Sequence, residues 1–433
     1  MAVVVLGGGI SGLTAARILQ QQGRDFLLLE KCPTLGGLTR TVAVGEFCFD
    51  YTGHFLHLSR YPTPEDIPYA SLKNDEWIRV NRRSCCFVAG KLVTAPIQYN
   101  LAELPPELFQ KCVASYDARP ELSSNGNATF RDYIISGFGQ ALADIFLIPQ
   151  NEKTMAISLD RLSKHAVRRF FPPPDEEMVR KGMLARANLE TNSYNSSFWY
   201  PKVGGISRLV HGLQSGIKNM ALPQDVVNIN LRDRRLRTKD NNTIAWDTVF
   251  SSIPLKSLCE MTEDPELISE SANLSYSSTI SFSIGMEDSL PHDFENIHWI
   301  YVPDRNIPFY RVGFFSNIGK GMTTPGYIAM YVEVGLPSGA VAQTNLVDDL
   351  QPRVIRSLEK LGWVDSRKIV CVAMHVIPHA YIHHTPQRDS AVDTILSRLH
   401  DYSIYPIGRY GLWDYTSMED SMESARSAVL EHS

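Results

Sequence analysis

At 433 residues the chain has room for two or three sizeable cores, and 44% hydrophobic with 21% charged residues is ordinary globular composition. The net charge of −5 supplies no basic field and argues against a nucleic-acid partner. Seven cysteines, an odd number without a C-x-x-C pair, point to reduced thiols in a cytoplasmic setting, and no apolar run approaches the ~20 residues of a membrane span.

The chain opens on Val3-Val4-Val5-Leu6, which leaves no room for a signal peptide ahead of the first strand. Gly7-Gly8-Gly9-Ile10-Ser11-Gly12 follows, then an apolar-periodic run through Leu13, Ala16 and Leu19, then Phe26-Leu27-Leu28-Leu29-Glu30. The pattern predicts strand, glycine turn, helix and strand. Gly7, Gly9 and Gly12 fill the places that a dinucleotide-binding turn needs for a tight turn, for close approach of a pyrophosphate and for close helix packing. The helix N-terminus, at Ile10 and Ser11, offers free N–H groups to phosphate. Glu30, with Lys31 beside it, stands where an acid accepts a ribose diol and repels a 2′-phosphate. A second glycine turn, Gly36-Gly37-Leu38-Thr39-Arg40, adds backbone donors and a cation next to the same pyrophosphate, an addition that resembles FAD-binding proteins more than NAD dehydrogenases.

Further along, 42–58 reads as alternating strand then turn, and 79–94 as a hairpin turning at Ala89-Gly90-Lys91. Residues 100–146 read as helical, broken by a polar loop at 123–127, and a helix starts after Pro172-Pro173-Pro174 with Asp175 and Glu176 in its first turn. From 225 the chain turns β-rich, with Arg232–Arg237 a solvated hairpin. A short buried strand at 247–254 then returns to the nucleotide-binding part. Strands are predicted at 279–285, 298–302, 309–315, 327–335 and 369–377, then a Gly408-Arg409-Tyr410-Gly411 loop and a C-terminal helix from about Glu419. His375, His379, His383 and His384 lie close in sequence, but Pro378 forbids one helix there and no carboxylate or cysteine completes a ligand set, so no metal is expected.

Together these pieces resemble the flavin amine oxidase and protoporphyrinogen oxidase superfamily, and within it the UDP-galactopyranose mutase family in its eukaryotic-type branch. The resemblance rests on Gly53-His54-Phe55-Leu56, on Pro96 to Asn100, and on Asn195 to Phe198 with Tyr200-Pro201. It continues through Leu274 to Thr279 and, above all, from Trp299-Ile300-Tyr301 through Phe309-Tyr310-Arg311 to Asn317. It implies an α/β fold: a discontinuous Rossmann-type FAD-binding domain with an inserted mixed sheet and a helical substrate domain. The expected parts are 1–60, 201–260 and 386–433 for FAD, 61–200 for the mainly helical insertion and 261–385 for the substrate-side sheet.

The resemblance implies reduced FAD as the nucleophile in a redox-neutral pyranose–furanose rearrangement of a nucleotide sugar, with NADPH or NADH a candidate reductant although no second fingerprint is present. It places Gly53 and His54 against the flavin, and Gly408, Arg409, Met418 and Glu419 along its pyrophosphate and ribityl region. Arg311 falls on the diphosphate-binding arginine, and Arg168 or Arg169 on a second one. Gln98, Asn195, Tyr381 and Tyr415 fall on substrate contacts. The departures are Ala95 and Ile97 where the family stacks uracil on aromatic rings, Met155 for a tryptophan, Ile318 for a tyrosine and Asp414 for an arginine. They leave open a true FAD oxidoreductase, such as an amine or alcohol oxidase or a desaturase, and a flavin-binding protein without catalysis.

Overall fold

The computed structural model describes residues 2–123, 128–166, 171, 174–184, 196–319 and 321–432. Val3–Leu6 is apolar at every position and buried at every position, the signature of a central parallel strand. It pairs in parallel with Phe26–Leu29 on one side and Thr248–Ser251 on the other. Met220–Ala221 and Ile404–Pro406 extend the two edges, so one five-stranded sheet draws on the start, middle and end of the chain. The helices Ile10–Gln21 and Met418–His432 share one core through Leu13, Ala16, Leu19, Met422, Ala425 and Val429.

The second sheet has seven strands. Its order is Ile369–Ile382, Tyr276–Glu287, Tyr327–Pro337, Arg311–Phe314, Trp299–Tyr301, Ser84–Val88 and Lys91–Thr94. It is mixed, because Trp299–Tyr301 and Ser84–Val88 run parallel while the other neighbours are antiparallel. Period-two alternation gives it two faces. Ile280, Phe282, Ile284, Met330 and Val332 pack against Val347, Leu350, Val354 and Leu358 of the helix Thr344–Lys360. Thr279, Ser281, Ser283, Tyr331 and Glu333 alternate with them and so turn to the other face, where the functional site lies. The inserted helices Pro106–Asp117, Phe130–Phe138 and Ile148–Met155 form their own core with Tyr116, Phe130, Phe138 and Leu147.

Five stretches differ from the sequence reading. Arg79 belongs to the strand Trp77–Asn81, which pairs with Ser197–Pro201; the hairpin itself is Ser84–Val88 and Lys91–Thr94. The Gly408–Gly411 stretch is one turn of helix rather than a loop. The edge strand continues through Pro378 to Ile382. Proline is tolerated there because the strand is an edge and its register slips opposite Ser277–Thr279, where Ser278 Oγ donates to the Pro378 carbonyl at 2.7 Å. The helices Thr344–Lys360 and Arg388–Asp401 carried no expectation; the first holds Pro352 in its interior and has no side-chain N-cap, so both boundary signals are missing. The Arg232–Arg237 stretch is the expected exposed hairpin.

Candidate functional site

Between the two sheets lies a cavity of about 1250 Å³, beyond the roughly 300–1,000 Å³ of a pocket for one drug-sized ligand. One end is the glycine turn. Gly7 has φ +94°, in the left-handed region, and a Cβ on Gly12 would sit 1.8 Å from the Gly7 carbonyl oxygen, so neither position accepts a side chain. The helix Ile10–Gln21 starts at Gly9 without a side-chain cap and without an acid in its first turn. Gly9, Ile10 and Ser11 line the cavity, so the positive helix end opens into it. Gly36 N–H donates to the Gly8 carbonyl at 2.8 Å, which lays the second glycine turn, with Gly37 and Leu38, against the first. Glu30 and Lys31 line the same end. The Glu30 carboxylate accepts Gly8 N–H at 2.6 Å and Cys32 N–H at 2.8 Å, one on each oxygen, which fixes its position beside the turn.

This end fits a dinucleotide by its geometry. The C-terminal segment supports it from the far side. A Cβ on Gly408 would meet Ser11 Oγ at 2.0 Å, so glycine alone lets that segment approach the first helix. Arg409 donates to the carbonyls of Thr416 at 3.0 Å and Ala380 at 3.2 Å, while its buried Nε has no acceptor among the described residues. Met418 lines the cavity, whereas Glu419 lies behind it, fully buried, its carboxylate accepting the N–H groups of Ser59 and Arg60.

Midway along the cavity lies the turn Thr52-Gly53-His54. A Cβ on Gly53 would be 2.2 Å from the Tyr331 hydroxyl, so this turn rests directly on the second sheet. His54 Nδ1 is 2.9 Å from Thr52 Oγ1. Burial, with the charges of Arg409 and Arg311 adding to it, pulls the imidazole down to about 3, so it is neutral at ordinary pH.

Beyond His54 the second sheet supplies the wall. Arg311 forms a bidentate pair with Glu333 directly across the strands, Nε at 2.6 Å and a terminal nitrogen at 2.8 Å. Burial works against the guanidinium, but Glu333 more than offsets it and keeps Arg311 charged. Tyr381 stands between two tyrosines, ring centroids 6.4 Å from Tyr310 and 5.7 Å from Tyr415, and the Arg409 guanidinium lies 4.2 Å over the Tyr415 ring. Burial raises all three phenols, so they are protonated donors at neutral pH. Gln98 lines the far end, together with Ala95, Ile97 and Met155.

The structure thus brings His54, Arg311, Tyr381, Tyr415, Arg409 and Gln98 to one cavity. Arg168, Arg169 and Asn195 lie outside the described residues. Of the departures from the family pattern, Ala95, Ile97 and Met155 face the cavity. Ile318 is instead buried in the core beside Phe315, and Asp414 pairs with His384 at 3.1 Å and lies near Arg388. The four histidines go separate ways: His375 stacks on Tyr51, His379 lies tilted against Tyr276, and His383 bridges Ser275 and the Met155 carbonyl. Among the described residues no cluster of three metal-ligating side chains occurs.

Sequence reasoning missed several groups. Glu333 had a signal: it is the one acid in the apolar strand Tyr327–Pro337, and Arg311 is the one cation in the neighbouring strand Arg311–Phe314. Lys153 and Gln150 had none. Lys153 Nζ donates to three carbonyls, Val302 at 2.6 Å, Asp304 at 2.8 Å and Phe309 at 2.5 Å, and Gln150 Nε2 donates to Tyr310 at 3.0 Å. One helix face therefore fixes the loop that carries Tyr310 and Arg311. Burial pulls the Lys153 ammonium down to about 7.

Fold and cavity together define an α/β protein whose Rossmann-type glycine turn opens into one large cavity. Residues 5–66 match the NAD(P)-binding Rossmann-like domain family. A 56-residue stretch is 43% identical to an uncharacterized protein in the nifH2 3′ region of Methanothermococcus thermolithotrophicus, spanning 13% of this chain and about half, 54%, of that protein. Across 99% of the chain the fold is similar to that of a reduced UDP-galactopyranose mutase, with a TM-score of 0.89, 24% identity and 94% of that chain covered. It is also similar to a putative protoporphyrinogen oxidase from Exiguobacterium sp. 255-15, with a TM-score of 0.72, 18% identity and coverage of 99% and 98%. A fatty acid isomerase from P. acnes shares the fold at a TM-score of 0.63 and 14% identity, with coverage of 99% and 98%. The fold implied by the resemblance is the fold present. No helix among the described residues is long and apolar enough to cross a membrane.

Proposed function

We propose that the chain binds FAD and catalyses a redox-neutral ring rearrangement of a nucleotide sugar, in the manner of a UDP-galactopyranose mutase. The observation that carries this reading is the continuity of one cavity. It runs from the uncapped glycine turn, past neutral His54, to the Arg311–Glu333 pair and its tyrosines. Reduced FAD, when bound, would supply the nucleophile at the anomeric carbon. Gly9, Ile10, Ser11, Gly37 and Leu38 would hold its pyrophosphate, Glu30 its ribose, and Gly53, His54, Arg409 and Met418 its central and flavin portions. Arg311 would bind the substrate diphosphate and keep the leaving group near the sugar, with the phenols of Tyr310, Tyr381 and Tyr415 donating hydrogen bonds to it. His54, being neutral, would add no charge beside the flavin. Gln98 would meet the base.

A second reading has its own observation. Ala95, Ile97 and Met155 put apolar surface beside Gln98, where the family stacks a base, and this favours an oxidoreductase acting on a less polar substrate over the same flavin. The two readings separate in one assay. The purified protein is reduced without oxygen, given UDP-galactopyranose or UDP-galactofuranose, and its products are separated by chromatography. Ring-size interconversion only in the reduced state is the expected result. Oxygen or acceptor consumption without rearrangement would sink the mutase reading and favour the second.

A further inference from the structure

Arg311 is the cation that family resemblance assigns to a diphosphate, yet its charge is already cancelled. Glu333, 1% exposed, holds it through two hydrogen bonds. An anion that approached Arg311 alone would meet a pair of no net charge. A second cation lining the same cavity would supply the attraction for a diphosphate.

Arg82 is such a cation. It follows the strand Trp77–Asn81, and its backbone is pinned by its own N–H donating to the Ser196 carbonyl at 2.9 Å. Its side chain is half-buried, lines the cavity, and has no hydrogen bond and no carboxylate partner among the described residues. A guanidinium with five donors that is partly withdrawn from water leaves several of them for water or an anionic ligand to meet. Burial pulls it down from the usual arginine range, and the groups acting the other way are Tyr301 and Cys86. Sheet register fixes the neighbourhood: Cys86 pairs with Tyr301, and Tyr301 pairs with Arg311, all three lining the cavity. Two strand spacings, about 10 Å, thus separate Cys86 from Arg311, a gap that a diphosphate with its attached groups can bridge.

We infer that Arg82 is the anion-binding residue of the far chamber, taking one phosphate of the substrate diphosphate while Arg311, oriented by Glu333, takes the other. This rests on the nucleotide-sugar reading for the identity of the anion, but the site itself is a cation without a carboxylate partner among the described residues, which any phosphate or carboxylate at that position would meet.

The test is calorimetric titration of the full-length, FAD-loaded protein with three probes: UDP, inorganic pyrophosphate and dodecanoate. Arg82→Gln and Arg82→Lys are compared with the parent protein, and the flavin spectrum checks that each variant is folded. UDP and pyrophosphate should bind the parent, weaken about tenfold to a hundredfold in Arg82→Gln, and recover most of that in Arg82→Lys. The loss should shrink as salt is added. UDP binding that is the same in Arg82→Gln would overturn the inference and leave the mutase reading standing. Dodecanoate binding with the same Arg82 dependence, and no UDP binding, would keep the anion site and overturn the nucleotide-sugar reading. A parent protein that binds none of the three probes would overturn the inference outright.

Discussion

The two ends of the cavity are built on opposite principles. The dinucleotide end is backbone: glycines at Gly7, Gly12 and Gly408 remove side chains, and a helix start is left uncapped. The far end is side chain: Arg311, Glu333 and Tyr381 come from three strands, Tyr310 and Tyr415 from the segments beside them, and partners remote in sequence hold them. A backbone site tolerates change only where a Cβ fits. A side-chain site tolerates change at single positions but depends on paired partners. On the proposed function the same contrast separates what a substitution should break: cofactor retention at one end, substrate affinity at the other.

The largest effect should come from the backbone end. A Cβ at Gly12 would lie 1.8 Å from the Gly7 carbonyl oxygen, and the neighbour is main chain, which cannot swing aside. Gly12→Val should abolish flavin retention after gel filtration and lower the unfolding midpoint, at a cost of 3 kcal/mol or more by the order of magnitude known for overpacking at rigid sites, ~1–3 kcal/mol and above. Unchanged flavin retention would erase the distinction between the two ends.

The next effect belongs to the side-chain end. Glu333→Ala leaves Arg311 charged and buried without its partner. Loss of one member of a buried pair costs about 3–5 kcal/mol, which denaturant unfolding would read. Flavin should still bind in folded protein, because Glu333 lies beyond His54. Equal loss of flavin and of stability would show that the ends are not separable.

A smaller effect, dependent on pH, probes the joint between them. Asp50 is fully buried and accepts Thr41 Oγ1 and Tyr200 Oη, each at 2.6 Å, and Ile206 N–H at 3.0 Å. Burial pushes it up to about 6, with those three donors working against the rise. Its folded value lies above the unfolded one near 3.9, so the folded state holds the proton more tightly. The stability it contributes is therefore full below about pH 4 and is lost as pH rises through about 6, on the order of 3 kcal/mol. In Asp50→Asn that part of the pH dependence should vanish when unfolding is followed from pH 4 to pH 7. A parallel pH profile in the variant would show that Asp50 does not titrate there.

The backbone end was legible in the sequence because its chemistry is local. Three glycines, a strand on each side and Glu30 lie within thirty residues, and each is demanded by a steric or hydrogen-bond reason that spacing alone expresses. The discontinuous return was legible too, through the short apolar strand Thr248–Ser251 and through Gly408. The side-chain end was legible only where a resemblance pointed, at Arg311, Tyr381 and Tyr415. Glu333 and Lys153 escaped, because their roles come from cross-strand register and from a helix packing on a loop about 150 residues away, neither of which has a spacing in sequence. Asp414 illustrates the reverse. In sequence it is only a departure from the family's arginine, and the structure gives it His384 as a partner.

The most direct measurement follows the flavin itself while a ligand fills the other end. The visible absorption spectrum of the purified protein is recorded alone and during titration with UDP. The account predicts a bound-flavin spectrum that shifts saturably as UDP enters the chamber beside Arg311. A protein without flavin, or a flavin band that UDP and every other nucleotide leave unmoved, would contradict the claim that one cavity joins a flavin to a nucleotide-sugar site.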